Sequence, residues 1–349
     1  MFTLTDRRRL VLDLAAKSQN WALTPASAAR VRAEAPDGWE VVVVAAETSS
    51  DGDGPPTASD EARAATADAE VYFGFGFTED LLRAAPKLRW VHSAAAGVGL
   101  VLKSGIADTN IILTNSAGIH GPPIGEFVVA GLLHFMRGLD VAIAQQQKRE
   151  WSKAFFVAND SPMREVSDSR ILIVGTGGLG GEAARRLTAL GATCIGIRRR
   201  PELGAPQGFS NVLGMAALDT ELARADAVVL AAPLTAETSA LMTRARLELL
   251  PRHAIIVNVA RGAMIEEEAL ADMLESGRLR GAVLDVFQQE PLATTSRLWQ
   301  LRSALVVPHV SPVSPGRFWP RQLDLFLDNW RRYSAGEPLR NVVDKRAGY

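Results

Sequence analysis

The chain is predicted to be an α/β protein built on doubly wound parallel sheets. Two observations carry that expectation. Short apolar runs rich in β-branched residues recur along its 349 residues, and stretches with apolar residues at helical spacing separate them. Parallel strands are covered on both faces, so they read as near-continuous apolar runs joined by crossover helices. The length allows two domains with separate cores. With 47% hydrophobic and 22% charged residues, the composition is that of a globular protein. A formal net charge of −1 provides no global field for nucleic acid or an anionic membrane, and neither is expected as a partner. No apolar run approaches the roughly 18 residues of a membrane span. Residues 1–20 are basic at Arg7, Arg8 and Arg9 but broken by Asp13, and do not read as a signal peptide. Cys194 is the one cysteine; inside an apolar run it is expected to be an inert buried thiol, in keeping with a reducing, cytoplasmic setting.

Residues 9–14 read as a first strand and 24–35 as a helix, with Thr24 as its cap and Pro25 just inside its start. A second strand spans 40–46. Residues 49–59, rich in Asp, Gly and Pro, form a loop. A short helix at 61–67, a strand at 70–75, a helix at 78–85 and a strand at 88–93 complete a first α/β unit. Ala94-Ala95-Ala96-Gly97-Val98-Gly99 then stands at a strand's carboxyl end, where ligands sit in open α/β sheets. Small residues there leave backbone N–H groups accessible; they equally suit a plain turn. After a strand at 111–114 and Gly121-Pro122-Pro123, one helix is expected from 124 to about 148. Such a length suits a helix spanning two domains or packing at a subunit contact. Residues 151–169 are irregular.

The stretch 170–201 organises the chain. A buried strand at 171–174 leads into Gly175, Gly177 and Gly180, which form Gly-x-Gly-x-x-Gly. Leu179, Ala183, Ala184, Leu187 and Leu190 then recur at helical spacing, Gly191 closes the helix, and a second strand follows at 193–197. In that setting the motif binds a dinucleotide. The first glycine permits the tight turn, the second lets backbone approach a pyrophosphate, and the third lets helix and strand pack closely. The helix N-terminus, at Gly178 and Leu179, offers free N–H groups to the phosphates. NAD-binding versions carry an acidic residue at the end of the second strand. Here that place, 18 residues past Gly180, is Arg198, followed by Arg199 and Arg200. Guanidinium forks suit a 2′-phosphate, so the expected cofactor is NADP(H), with NADPH preferred over NADH. The plainer alternative is a solvated basic loop.

The α/β rhythm resumes with a strand at 227–231 ending in Ala232-Pro233-Leu234-Thr235, and a helix at 243–249 stopped by Pro251. A strand at 254–259 ends in Asn258-Val259-Ala260-Arg261-Gly262, and a helix at 266–276 stops at Gly277. Strands at 281–286 and 305–307 end near Asp285 and at Pro308-His309, and a last helix covers 323–333. Arg261, Glu290 and His309 thus stand after the carboxyl ends of successive elements, on one sheet edge. Reducing a 2-keto acid needs a cation for the carboxylate and carbonyl, a proton donor, and a group that orients the donor. Arginine, histidine and glutamate suit those three jobs in turn. A lone histidine is more often structural. His134 and His253 take bland positions, while His92 and His120 flank candidate loops and are candidates for a peripheral part.

Six ordered segments resemble the D-isomer-specific 2-hydroxyacid dehydrogenase family. They are Ala96-Gly97-Val98, Gly175-Thr176-Gly177-Gly178-Leu179-Gly180, Pro233-Leu234-Thr235, Asn258-Val259-Ala260-Arg261-Gly262, Asp285-Val286-Phe287-Gln288-Gln289-Glu290-Pro291-Leu292 and Pro308-His309. The likeness covers roughly 70–344. It implies two Rossmann-like domains: a discontinuous, flavodoxin-like substrate domain at 1–118 plus 312–349, and a dinucleotide-binding domain at 119–311. It implies catalytic roles for Arg261, Glu290 and His309, with Arg261 also binding substrate. Backbone N–H groups of Ala96, Gly97 and Val98 would hold the substrate carboxylate. Pro233 and Ala260 would line the cofactor, and Asp285 would bond its carboxamide. It further implies a homodimer and no metal. Three departures stand out: Gly99 where an acidic residue is common, Val310-Ser311-Pro312 after His309 in place of a glycine-rich stretch, and Arg198, as in NADPH-using glyoxylate and hydroxypyruvate reductases. Two alternatives remain: an NAD-dependent enzyme like phosphoglycerate dehydrogenase, and a dinucleotide-sensing binding protein like the co-repressors of this fold.

Overall fold

The computed structural model describes residues 8–19, 21–47 and 57–348, so most of the loop expected at 49–59 lies outside the described residues. Two compact units are present. One takes in the chain as far as Ile119 and again from Ser314; the other runs from His120 to Val313.

The first unit opens with β1 (Arg8–Asp13), α1 (Pro25–Ala33), β2 (Trp39–Val43), α2 (Asp60–Thr66), β3 (Val71–Gly74), α3 (Glu79–Ala84), β4 (Trp90–Ser93), α4 (Gly99–Leu102) and β5 (Ile112–Asn115). Its five strands are parallel in the order β2-β1-β3-β4-β5, the flavodoxin-like arrangement. The helix starts follow side-chain capping. Thr24, Ser59 and Thr78 each accept a backbone N–H from three residues on, satisfying donors that a helix cannot use internally.

The second unit carries α5 (Gly121–Met136), α6 (Leu139–Lys148), α7 (Ala154–Val157), β6 (Arg170–Val174), α8 (Gly178–Ala189), β7 (Thr193–Ile197), β8 (Asn211–Leu213), α9 (Leu218–Leu222), β9 (Ala227–Leu230), α10 (Arg244–Leu249), β10 (Ile255–Asn258), α11 (Glu267–Glu275), β11 (Gly281–Leu284) and β12 (Ala304–Val306). Its parallel order, β12-β11-β10-β9-β6-β7-β8, is that of a dinucleotide-binding fold, with a strand-order reversal between β6 and β9. The sequence reading passed over β8 and α9, which at three and five residues are too short to show a period.

The single helix expected at 124–148 is two helices, α5 and α6, bent by 64°. Gly138 breaks it, in a left-handed conformation at φ 68° that caps one helix and starts the next. Arg280 holds the bend. Its guanidinium donates to the Phe135 carbonyl at the end of α5 and to both oxygens of Asp140 in the first turn of α6, at 2.6–2.9 Å. Nor does α5 span two domains: it lies wholly within the second unit. A Cβ on Gly125 would sit 3.0 Å from the Glu182 backbone, so this glycine lets α5 and α8 cross closely. Among the described residues no single helix is long and apolar enough to cross a membrane.

The chain then returns to the first unit as α12 (Phe318–Ala335), begun five residues before the expected helix. Its buried stripe meets the five-stranded sheet, where Phe326 stacks on Phe73 at 4.3 Å and on Trp90 at 5.5 Å. Each such side chain contributes about 1.5–3 kcal/mol on burial, so these few rings dominate the docking.

Candidate active site

The cofactor cradle is built by steric necessity at the carboxyl end of β6. Gly175 has φ 98°, and a Cβ there would lie 2.7 Å from the Ala231 carbonyl carbon and oxygen. A Cβ on Gly180 would fall 1.9 Å from the Gly175 carbonyl oxygen, so only glycine lets α8 start against the turn. Around Gly177, by contrast, a Cβ would meet nothing within 4 Å. The three glycines therefore separate into turn, open approach and close packing, which is the division a pyrophosphate site requires. Gly177 caps α8 without any side-chain bond, leaving first-turn N–H groups for an anion. Arg198 directly follows β7, its backbone N–H bonded to the Leu213 carbonyl on the neighbouring strand, and the exposed Arg199 and Arg200 come after it. Pro233 is exposed just past β9, where its carbonyl accepts from Thr238 Oγ1 at 2.7 Å.

Arg261, Asp285 and His309 follow three adjacent strands. Asn258 is in register with Leu284, and Leu284 with Val306. Strands lie about 4.8 Å apart, so the three following loops share one short edge. Arg261 is exposed, and its loop is fixed by Asn258, which donates to the Arg261 carbonyl at 3.0 Å and accepts the Ala260 N–H at 3.1 Å. A Cβ on Gly262 would lie 1.9 Å from the Phe287 carbonyl carbon, so the Arg261 loop packs directly on the loop bearing Glu290.

Glu290 and His309 are joined. His309 Nδ1 lies 2.9 Å from Glu290 Oε2, while Glu290 Oε1 accepts the Phe287 N–H at 2.9 Å. With Nδ1 donating to the carboxylate, Nε2 is the imidazole nitrogen left for chemistry. Asp285, 1% exposed, does a job that the sequence reading missed. Its Oδ1 accepts the N–H groups of Val310 and Ser311 at 2.8 and 3.0 Å, its Oδ2 accepts the Ser311 hydroxyl, and its carbonyl accepts the His309 N–H at 2.9 Å. The segment carrying His309 is pinned from below.

In the first unit, Ala96 and Gly97 are exposed and Val98 is buried. Their three N–H groups make no hydrogen bond among the described residues. Successive N–H groups left unpaired after a strand end are donors available to an anion. His92, a candidate for a peripheral part, is instead fully buried, and burial pushes its pKa down to about 3. It is a neutral core residue. His253 bonds Asp226 at 2.7 Å.

Known proteins are similar to this chain in sequence and in fold. Residues 129–311 match the family model described as D-isomer specific 2-hydroxyacid dehydrogenase, NAD binding domain. The chain is 31% identical to a glycerate dehydrogenase of Methylorubrum extorquens, over 76% of this chain and 82% of that one. Among solved structures it is similar to the NADPH-dependent glyoxylate/hydroxypyruvate reductase of Sinorhizobium meliloti in complex with NADP and sulfate, at 29% identity and TM-score 0.77, covering 98% of this chain and 100% of that one. A D-isomer specific 2-hydroxyacid dehydrogenase from Xanthobacter autotrophicus, in complex with NADPH and MES, matches at 28% identity and TM-score 0.77 over the same shares. The chain belongs to the D-isomer-specific 2-hydroxyacid dehydrogenase family, NAD(P)-dependent oxidoreductases acting on the CH–OH group of small 2-hydroxy acids.

Proposed function

We propose that the protein is an NADP(H)-dependent D-2-hydroxyacid dehydrogenase working as a 2-keto acid reductase. The observation that carries the proposal is the Glu290–His309 pair, 2.9 Å apart, on the strand edge that also bears Arg261. A bound nicotinamide supplies the hydride that reaches the keto carbon. Arg261 draws electron density from the carbonyl oxygen and pairs with the carboxylate through its planar fork. His309 delivers a proton from Nε2 to that oxygen. Glu290 keeps the ring oriented through Nδ1. The N–H groups of Ala96, Gly97 and Val98 hold the carboxylate.

Gly175, Gly177, Gly178, Leu179 and Gly180 take the pyrophosphate, with Pro233 and Ala260 beside the nucleotide. Asp285 Oδ2, with one acceptor position left after Ser311, takes the nicotinamide carboxamide. Arg198, Arg199 and Arg200 clamp the 2′-phosphate. Support for this clamp is that neither Arg198 nor Arg200 spends its guanidinium on a carboxylate among the described residues.

A homodimer in a reducing, cytoplasmic setting completes the reading. Leu139 (47% exposed), Ile143 (47%), Trp151 (91%) and Val157 (70%) supply apolar surface along 139–157, and Cys194 is free and buried. Loss of NADPH and NADH absorbance with glyoxylate, hydroxypyruvate, pyruvate and bulkier 2-keto acids tests the proposal. Turnover with NADPH exceeding that with NADH supports it; equal or better turnover with NADH removes the phosphate clamp.

A further inference from the structure

The loop presenting the N–H groups of Ala96, Gly97 and Val98 has its carbonyls held from behind. Four consecutive carbonyls accept. Ser93 O takes the Ser116 hydroxyl at 2.7 Å, Ala94 O takes Gln322 Nε2 at 3.4 Å, Ala95 O takes the Ser116 N–H at 3.2 Å, and Ala96 O takes Asn115 Nδ2 at 2.8 Å. In a trans peptide the carbonyl and the following N–H point opposite ways. Holding the carbonyls of Ala95 and Ala96 therefore aims the N–H groups of Ala96 and Gly97 outward.

Counting protons fixes every role in this buried network. Ser116 has one hydroxyl proton, and Ser93 O receives it. The other neighbours of Ser116 Oγ must then donate to it: Gln322 Nε2 at 2.7 Å and His92 Nε2 at 3.3 Å. His92 is thus the neutral Nε2–H tautomer, in line with a pKa pushed down to about 3 by burial. Its Nδ1 accepts from the Thr114 hydroxyl at 2.7 Å, and Thr114 accepts from Trp90 Nε1 at 2.8 Å. Ala94 O and Ser116 Oγ are both acceptors, so the Gln322 amide must turn its nitrogen to them. Its Oε1 is left buried without a partner among the described residues. A fully buried amide oxygen without a partner carries a desolvation cost, which the two bonds donated by Nε2 must offset.

We infer that Asn115, at the end of β5, and Gln322, on α12, which acts one step back through Ser116 and the Ala94 carbonyl, are positioning residues that aim the N–H groups of Ala96 and Gly97 at the substrate carboxylate. This rests on the carboxylate role proposed above for Ala96, Gly97 and Val98. The returning C-terminal helix thereby acts on substrate binding as well as on the core.

Gln322→Met keeps the volume and removes both donors. A carboxylate held equally in ground and transition states affects KM rather than kcat. The variant is expected to raise KM for a 2-keto acid by about tenfold, the value of one hydrogen bond. It should leave kcat and the dissociation constant of NADPH within about twofold. An unchanged KM, or a kcat that falls with KM constant, overturns the inference. If thermal melting shows Gln322→Met unfolded, Asn115→Ser is judged by the same criteria. If the native protein reduces no 2-keto acid, the enzyme reading falls separately. Oxalate binding to the NADPH-loaded protein, read by tryptophan fluorescence, then decides: binding weakened by Gln322→Met supports the positioning role, and equal or absent binding overturns it.

Discussion

His309 stands in the left-handed region, at φ 50°, which costs a non-glycine residue roughly 1–2 kcal/mol. Asp285 holds it there through the N–H groups of His309, Val310 and Ser311. The strained turn and its clamp direct the imidazole to Glu290. His309→Ala is expected to lower kcat by about 10²–10⁴-fold while NADPH affinity holds, and Glu290→Gln to lower kcat by about tenfold or more. Stopped-flow turnover beside fluorescence titration of NADPH checks both; near-normal turnover of His309→Ala removes it as the acid. At the other end of the cofactor, Arg198→Asp with Arg199→Ser is expected to weaken NADPH by about ten- to a hundredfold, the value of one or two charge-assisted bonds, with NADH unchanged. An unaltered NADPH-to-NADH ratio would leave the arginines as a solvated loop.

Among the elements, the glycine turn and the α5–α6 bend show what a sequence reveals and what it hides. The role of Gly180 was readable because its constraint is local: the motif predicts close packing, and the 1.9 Å approach to Gly175 O is that packing. Gly180→Ala is expected to lose tight cofactor binding and to lower the melting temperature; isothermal titration showing native affinity would contradict the steric argument. The bend was hidden because its determinant is remote. Arg280 lies 140 positions from Asp140, and no period links them. Breaking a buried pair costs about 3–5 kcal/mol, so Arg280→Met should lower the unfolding free energy by about that much in urea titration, with NADPH affinity kept. The same locality explains Gln322. Arg261, Glu290 and His309 were legible as reactive types after strands. Gln322 showed only as a polar residue interrupting the buried stripe of Phe318, Trp319, Leu323, Phe326 and Leu327, a signal that could have flagged it.

For the molecule as a whole, two parallel sheets were readable from the alternation of apolar runs, with all five strands of the first and six of the seven of the second. One contribution to the acid limit of stability was not, because it depends on a histidine's burial. His92 titrates near 3 in the folded state against 6.5 when exposed. Between those values the unfolded chain binds the extra proton, so this contribution is complete above pH 6.5 and is lost as pH falls toward 3. The loss is on the order of a few kcal/mol. Melting temperatures from pH 8 to 4 should therefore fall below pH 6.5, and less so in His92→Gln; parallel profiles for the two proteins would assign the acid limit elsewhere. Function has an equally direct readout. NADPH deuterated at the transferable C4 position, incubated with the protein and hydroxypyruvate or glyoxylate, is expected to yield the 2-hydroxy acid with deuterium at carbon 2, and from hydroxypyruvate only the D isomer. No labelled product from either acid or from bulkier 2-keto acids, despite cofactor binding, or an L product from hydroxypyruvate, would contradict the assignment of this chain as a D-2-hydroxyacid dehydrogenase acting through His309.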